Sequence, residues 1–334
     1  MTTDRMTRRG FAKGAAQLLG LPAMAGLIPA QALAANRPQN LQEHSAQMTA
    51  KIVPFATSPF PYHGTVPDTG APFLDYTGPD GRLGHRSPRG GVYYLDQTYS
   101  DQSVLLAIPG SFDLNRKAAI VVFFHGNQAT LERDVIGKQR VLQQFQAARI
   151  NAAFVAPQLA VDALDSSAGK FWEPGAFARF MAEAATRLAE LWGDPAAWVH
   201  FAGLPIIMVA FSGGYDPMIF AATEGRVGNR VAGMVLLDAL FGEEELFAFW
   251  ISQNRNRAFF LSAYTEAAQG PNETVMSSLK EDDVRFTTHA PRWLGPGTIS
   301  FFETPNVDHV DYITQAWVKD PVTWTLDRVA AFAR

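Results

Sequence analysis

Ser212 closes an apolar run, Ile206-Ile207-Met208-Val209-Ala210-Phe211, and is followed by Gly213-Gly214-Tyr215. Ala210 and Gly214, two residues before and two after it, are small, as required where a strand and a helix pass close together on either side of an exposed side chain. A short Ser-Gly-Gly run also describes a plain turn, so the groups that could serve the serine decide what it is. A hydroxyl attacks an acyl carbon when a base takes its proton, an acid orients that base, and backbone amides hold the developing oxyanion. The chain supplies a base in His309, which follows the last predicted strand in Glu303-Thr304-Pro305-Asn306-Val307-Asp308-His309. His289 precedes that strand and His200 lies in an ordinary turn, so both are less well placed. Two carboxylates compete as the acid: Asp238, at the end of the strand after the serine's strand-helix unit, and Glu266, just past the next strand. Asp238 is preferred because the end of a buried strand is held more rigidly than a loop, although it could equally cap a helix. Asp308 and Asp311 are neighbours of His309 along the chain and for that reason seldom face it. The oxyanion donors are expected to be the amides of Gly213 and Asn127, the latter in the turn after Phe124-His125-Gly126, where His125 reads as a structural residue.

Placing these groups together requires strands that end on one edge. Ala119–Phe124 is continuously apolar, the mark of a strand covered on both faces. A helix over 131–148 with Thr130 as its N-cap should follow. The alternation continues with a strand over 151–156, a helix over 176–192 ended by Gly193 and Pro195, the Ile206–Phe211 strand with a helix running to Thr223, and a strand over 231–237. Strands over 258–263 and 298–303 come next, with Phe247 to Ile251 in a helix before the first of them. One short helix is expected after His309, and Asp320-Pro321 should open the last. This pattern predicts an α/β fold, a mostly parallel doubly wound sheet with helices on both faces and ligands beyond the carboxyl ends of its strands. Residues 35–91, rich in Pro, Gly and isolated aromatics, read as an extended, loop-rich segment preceding a domain over 92–334.

The first 34 residues read as a twin-arginine signal peptide: Thr7-Arg8-Arg9-Gly10-Phe11-Ala12-Lys13, a weakly apolar stretch from Gly14 to Ile28, and a cut after Ala32-Leu33-Ala34. It implies a bacterial protein that meets the twin-arginine export machinery, touches the membrane only transiently through this signal, and works in the periplasm or outside the cell. The 334 residues are 47% hydrophobic and 18% charged, which is globular rather than disordered. Removing the leader, with its one acid (Asp4) and four bases (Arg5, Arg8, Arg9, Lys13), takes the formal charge from −4 to −7. No basic run remains to follow a phosphate backbone, which argues against a nucleic-acid partner. There is no cysteine, hence no thiolate nucleophile or thiolate metal site, and no His/Asp spacing suits a metal. Phe171, Trp172, Tyr215, Phe247 and Trp250 lie near the predicted mouth, where they could line an apolar acyl or aryl pocket or serve as core and lid packing.

From about Val92 onward the chain resembles the α/β-hydrolase superfamily, on Phe124-His125-Gly126-Asn127, Ala210-Phe211-Ser212-Gly213-Gly214, Asp238 or Glu266, and His309. Ala210 replaces the glycine that usually opens the family's nucleophile elbow. The resemblance implies a Ser-His-acid mechanism with an acyl-enzyme and no cofactor, acting on a small-molecule ester or amide. A carboxylic ester hydrolase is the preferred reading; acyl transfer or peptide cleavage on the same triad, or a non-catalytic binding protein with this fold, are the alternatives.

Overall fold

The computed structural model describes residues 47–334, so the leader over 1–34 lies outside the described residues. Eight strands form the main sheet: β1 (Thr49–Pro54), β2 (Ser103–Ile108), β3 (Ala119–Phe124), β4 (Ala152–Pro157), β5 (Ile206–Phe211), β6 (Val231–Leu237), β7 (Phe259–Tyr264) and β8 (Ile299–Glu303). Their order is β1-β2-β4-β3-β5-β6-β7-β8. β2 runs antiparallel to both of its neighbours, and all pairs from β4 to β8 are parallel. This is the mostly parallel, doubly wound sheet that the alternation of apolar runs implies.

Period-two alternation divides each central strand between two cores. Ile120, Val122 and Phe124 of β3, with Ile206, Met208 and Ala210 of β5, face one core; Ala119, Val121 and Phe123, with Ile207, Val209 and Phe211, face the other. Helices cover both faces. The first core takes α2 (Ala176–Trp192), α3 (Tyr215–Thr223) and α4 (Glu244–Asn254), and the second takes α1 (Val141–Ala147) and α6 (Pro321–Leu326). A further helix, α5 (Gln269–Glu281), joins β7 to β8 and sets Val275 and Leu279 in the first core. The apolar stripe of α2 that the spacing predicts, Phe177, Phe180, Met181, Ala184, Leu188 and Leu191, is buried as far as Leu188, with Leu191 partly buried at the helix end.

Three expectations need correction. The expected boundary near residue 91 does not divide the fold, because β1 is hydrogen-bonded to β2 from Thr49 opposite Ile108 to Pro54 opposite Ser103. As an edge strand, β1 exposes most of its residues and so carries no apolar signal. The rest of the early segment forms a small antiparallel sheet of Tyr76–Thr77, Leu83–Arg86 and Val92–Tyr94, beside a buried aromatic cluster of Phe60, Tyr62, Phe73 and Tyr99.

The helix expected over 131–148 is two pieces. A wide π-type turn, Leu131–Lys138, is followed by α1, with Arg140 between them in the left-handed region at φ 53°. Thr130 does cap the first piece, accepting from the Arg133 amide, while the Asp134 carboxylate bends back to accept from the Thr130 amide at 2.8 Å. No helix forms between His309 and α6. Ile313 is buried through turns instead, and the Gln144 side chain of α1 donates to its carbonyl at 2.8 Å. Asp320 and Pro321 open α6 as expected, with Asp320 at φ 56° and no capping bond from its side chain.

Candidate active site

β5 ends at Phe211, and Ser212 turns the chain into a short helical turn, Ser212–Gly214, that continues as α3. Ser212 has φ 51°, a left-handed conformation that costs a non-glycine residue on the order of 1–3 kcal/mol and aims its side chain away from both flanking elements. The small neighbours are required by close approach. A Cβ on Gly214 would lie 2.2 Å from the Phe124 carbonyl oxygen at the end of β3, and one on Gly126 would lie 2.7 Å from Ser212 Cβ.

His309 reaches the serine from the loop after β8. Its Nε2 is 2.8 Å from Ser212 Oγ and its Nδ1 is 2.6 Å from Asp238 Oδ2. Because a carboxylate can only accept, Nδ1 carries the proton and the Nε2 lone pair receives the serine hydroxyl. Phe211 stacks on the ring at 5.3 Å and Phe241 meets it edge-on at 5.5 Å, so the imidazole has little freedom to turn. The loop itself is anchored just beyond, where the buried Tyr312 hydroxyl bonds Thr304 Oγ1 at 3.0 Å and the Thr304 amide donates to the Tyr264 carbonyl.

Asp238 directly follows β6, has φ 45° and is fully buried. A buried carboxylate is tolerable only with donors around it. Thr265, immediately after β7, supplies two: its amide donates to Oδ1 at 2.8 Å, and its hydroxyl lies 2.9 Å from Oδ2 and 3.1 Å from Oδ1. The carboxylate on His309 is therefore Asp238. Glu266 is exposed, in the short turn Glu266–Ala268 that Thr265 caps. Sequence reasoning overlooked Thr265, although a polar residue at the end of the parallel strand beside Asp238 was the available signal.

Asn127 and Gly213, the expected oxyanion donors, are adjacent. A Cβ on Gly213 would fall 2.1 Å from Asn127 Oδ1, which accepts from Ser166 Oγ at 3.2 Å. His125 is structural: buried and neutral, it donates from Nδ1 to the Gly126 carbonyl and accepts at Nε2 from the Leu159 amide, and burial pushes its pKa down to about 4.

Ser212 and His309 open into a cleft of about 630 Å³. Its apolar walls are Phe211, Phe241, Leu164 and Val310, and its charged rim holds Arg89, Lys138 and Asp134. None of the five aromatics that could line a pocket or serve as packing borders this cleft. Phe171 is buried against Phe177 and Phe180, Phe247 against Phe260, and Trp250 faces the same core. They lie near the mouth in sequence, but their helical positions turn them toward the sheet. Trp172 and Tyr215 border a separate chamber on the far side of the loop over 164–167.

No family model matches the sequence, and no curated protein matches it. Among solved structures the chain is similar to a ferulic acid esterase, with 10% identity over 86% of this chain and 99% of that one and a TM-score of 0.48. It is similar to the feruloyl esterase module from Clostridium thermocellum, with 15% identity over 82% of this chain and 96% of that one and a TM-score of 0.42. A third is an S-formylglutathione hydrolase from Agrobacterium tumefaciens, with 11% identity over 75% and 95% of the two chains and a TM-score of 0.40.

Proposed function

We propose that this protein is a serine hydrolase that cleaves carboxylic esters through an acyl-enzyme. The observation that carries this reading is the unbroken hydrogen-bonded chain from Ser212 Oγ through His309 to the buried Asp238 carboxylate, with the serine held on a left-handed turn. Ser212 Oγ attacks the acyl carbon as His309 Nε2 takes its proton, and Asp238 stabilises the imidazolium that forms. The amides of Gly213 and Asn127 receive the oxyanion. His309 then returns the proton to the leaving alkoxide as the tetrahedral intermediate collapses to the acyl-enzyme. In the second half, water attacks the acyl carbon, gives its proton to His309, and the acid departs as Ser212 Oγ is reprotonated.

The test is hydrolysis of a short-chain p-nitrophenyl ester by the wild type and by Ser212→Ala. The wild type should turn over and the variant should lose activity by on the order of 10⁴-fold or more; equal rates would remove the serine from the chemistry. We further propose that the enzyme works in the periplasm or outside the cell after twin-arginine export, on the strength of Arg8-Arg9 and Ala32-Leu33-Ala34. Expression with Arg8 and Arg9 both replaced by Lys should leave the protein in the cytoplasmic fraction; unchanged export would contradict that route.

A further inference from the structure

Beside the Ser212 cleft lies a second cavity of about 250 Å³ that the reaction above does not use. The two share a wall: Arg89 borders both, and the loop over 164–167 gives Leu164 to the cleft and Asp165, Ser166 and Ser167 to the chamber. Asp216, four residues after Ser212 in the first turn of α3, points a carboxylate into the chamber, and Asp68, Asp165 and Glu243 face the same space. Among the described residues none of these four carboxylates has a Lys, Arg or His nitrogen within ion-pair distance. Arg89 is the one Lys or Arg among the lining residues, beside His85, whose Nδ1 is 2.6 Å from the Phe73 carbonyl oxygen.

Asp165 is satisfied internally, by the hydroxyls of Tyr99 at 2.7 Å and Ser167 at 2.8 Å. Asp216 is not. It is only 8% exposed, no other side chain hydrogen-bonds its carboxylate, and the Ala168 amide is the one donor directed at it. Glu243, half-buried with its backbone at φ 59°, has no hydrogen-bond partner for its side chain among the described residues. Burial first, then the charges of Glu243, Asp165 and Asp68, hold the Asp216 carboxyl well above the usual carboxylate range. The N-terminus of α3 favours an anion at Asp216, but it does not account for three more carboxylates gathered on one small space.

The remaining walls are aromatic. Trp172, Tyr215 and Phe220 border the chamber, with the Trp172 and Phe220 rings perpendicular at 6.3 Å. Ring faces and carboxylates together attract a compact organic cation through its charge, its N–H donors and its alkyl surface. A neutral acyl chain would leave the buried Asp216 carboxyl without a charged partner, and an anion would be repelled. We propose that this chamber is a subsite for an alkylammonium group carried by the substrate of the Ser212 cleft, which makes Asp216 and Glu243 specificity-determining residues. This proposal rests on the hydrolase reading for its link to catalysis, while cation binding by the chamber stands by itself.

Calorimetric titration of the full-length protein with n-butylammonium, 1-butanol and sodium butyrate tests it directly, since binding needs no turnover. Butylammonium should bind on the order of tenfold or more tighter than either counterpart. Asp216→Asn, nearly isosteric, and Glu243→Gln, at a less buried site, should each weaken butylammonium by a comparable factor. Butanol or butyrate binding as tightly as butylammonium, or butylammonium binding unchanged in a folded Glu243→Gln variant, would overturn the proposal. The link to catalysis is read from butylammonium inhibition of p-nitrophenyl butyrate hydrolysis: competitive inhibition supports it, and saturation of the chamber without inhibition overturns it. Failure of the hydrolase reading has a separate signature, butylammonium bound by a protein that turns over no ester.

Discussion

Thr265 gives Asp238 both its backbone amide and its hydroxyl, and so fixes the carboxylate that touches His309. It touches no reacting atom and acts as a positioning residue. Thr265→Val keeps the amide at 2.8 Å and loses the hydroxyl. A hydrogen bond to a charged group is worth ~1.5–3 kcal/mol, so kcat should fall about tenfold or more while KM moves by less than about twofold. Thr265→Ser should restore kcat. A kcat that survives Val would show that the amide alone holds Asp238, and a loss that Ser does not rescue would show that the hydroxyl is not what matters.

The choice between the two acids is testable by a matched pair. Asp238→Asn keeps the shape but no longer holds His309 in the tautomer that accepts from Ser212, and activity on a p-nitrophenyl ester should drop by about 10⁴-fold. Glu266→Gln, on an exposed side chain that meets neither His309 nor Ser212, should stay within about twofold of wild type.

The small residues around the serine should respond unequally. Gly214→Ala sets a methyl 2.2 Å from the Phe124 carbonyl, where only backbone can give way. That overpacking should cost about 3 kcal/mol or more and show as a sharply lowered Tm or insoluble protein. Ala210→Gly, in a buried strand, should cost only ~1 kcal/mol, from added backbone freedom and a lost methyl. Differential scanning calorimetry of the two variants decides the ranking.

His125 supplies a pH dependence of stability. Burial lowers its pKa to about 4 in the folded state, against ~6.5 unfolded. Above pH ~6.5 both states are neutral and the folded protein keeps its full advantage. As pH falls from ~6.5 toward 4 the unfolded chain takes up a proton that the folded one refuses, and stability declines by up to ~3 kcal/mol. His125→Gln should melt lower than wild type at pH 7.5 and lose less further Tm between pH 7 and 4.5. Parallel acid limbs for the two proteins would exclude His125 as the source.

Much of this was readable in the sequence because the central strands are buried on both faces. Continuous runs such as Ala119–Phe124 and Ile206–Phe211 leave no ambiguity of face, and the residues that follow β5 and β6, Ser212 and Asp238, fall together at one edge of a parallel sheet. What was hidden lacked that signal. β1 is an exposed edge strand whose partner fixes it, not its own apolar pattern. The break at Arg140 is a single residue in the left-handed region, which no periodicity reports. The lining of the cleft was misjudged because aromatics close in sequence to the mouth, Phe171 and Phe247, are turned into the core. The residues that do line the cleft, such as Arg89 and Leu164, come from loops remote in the chain.

The central claim is that Ser212 is a nucleophile activated by His309. Intact-mass spectrometry after incubation with a fluorophosphonate, followed by peptide mapping, measures this directly. One phosphonyl adduct per chain, mapped to Ser212 and abolished in both Ser212→Ala and His309→Ala, is the result the account predicts. A wild-type protein that stays unlabelled, or an adduct that maps to another residue, would contradict it.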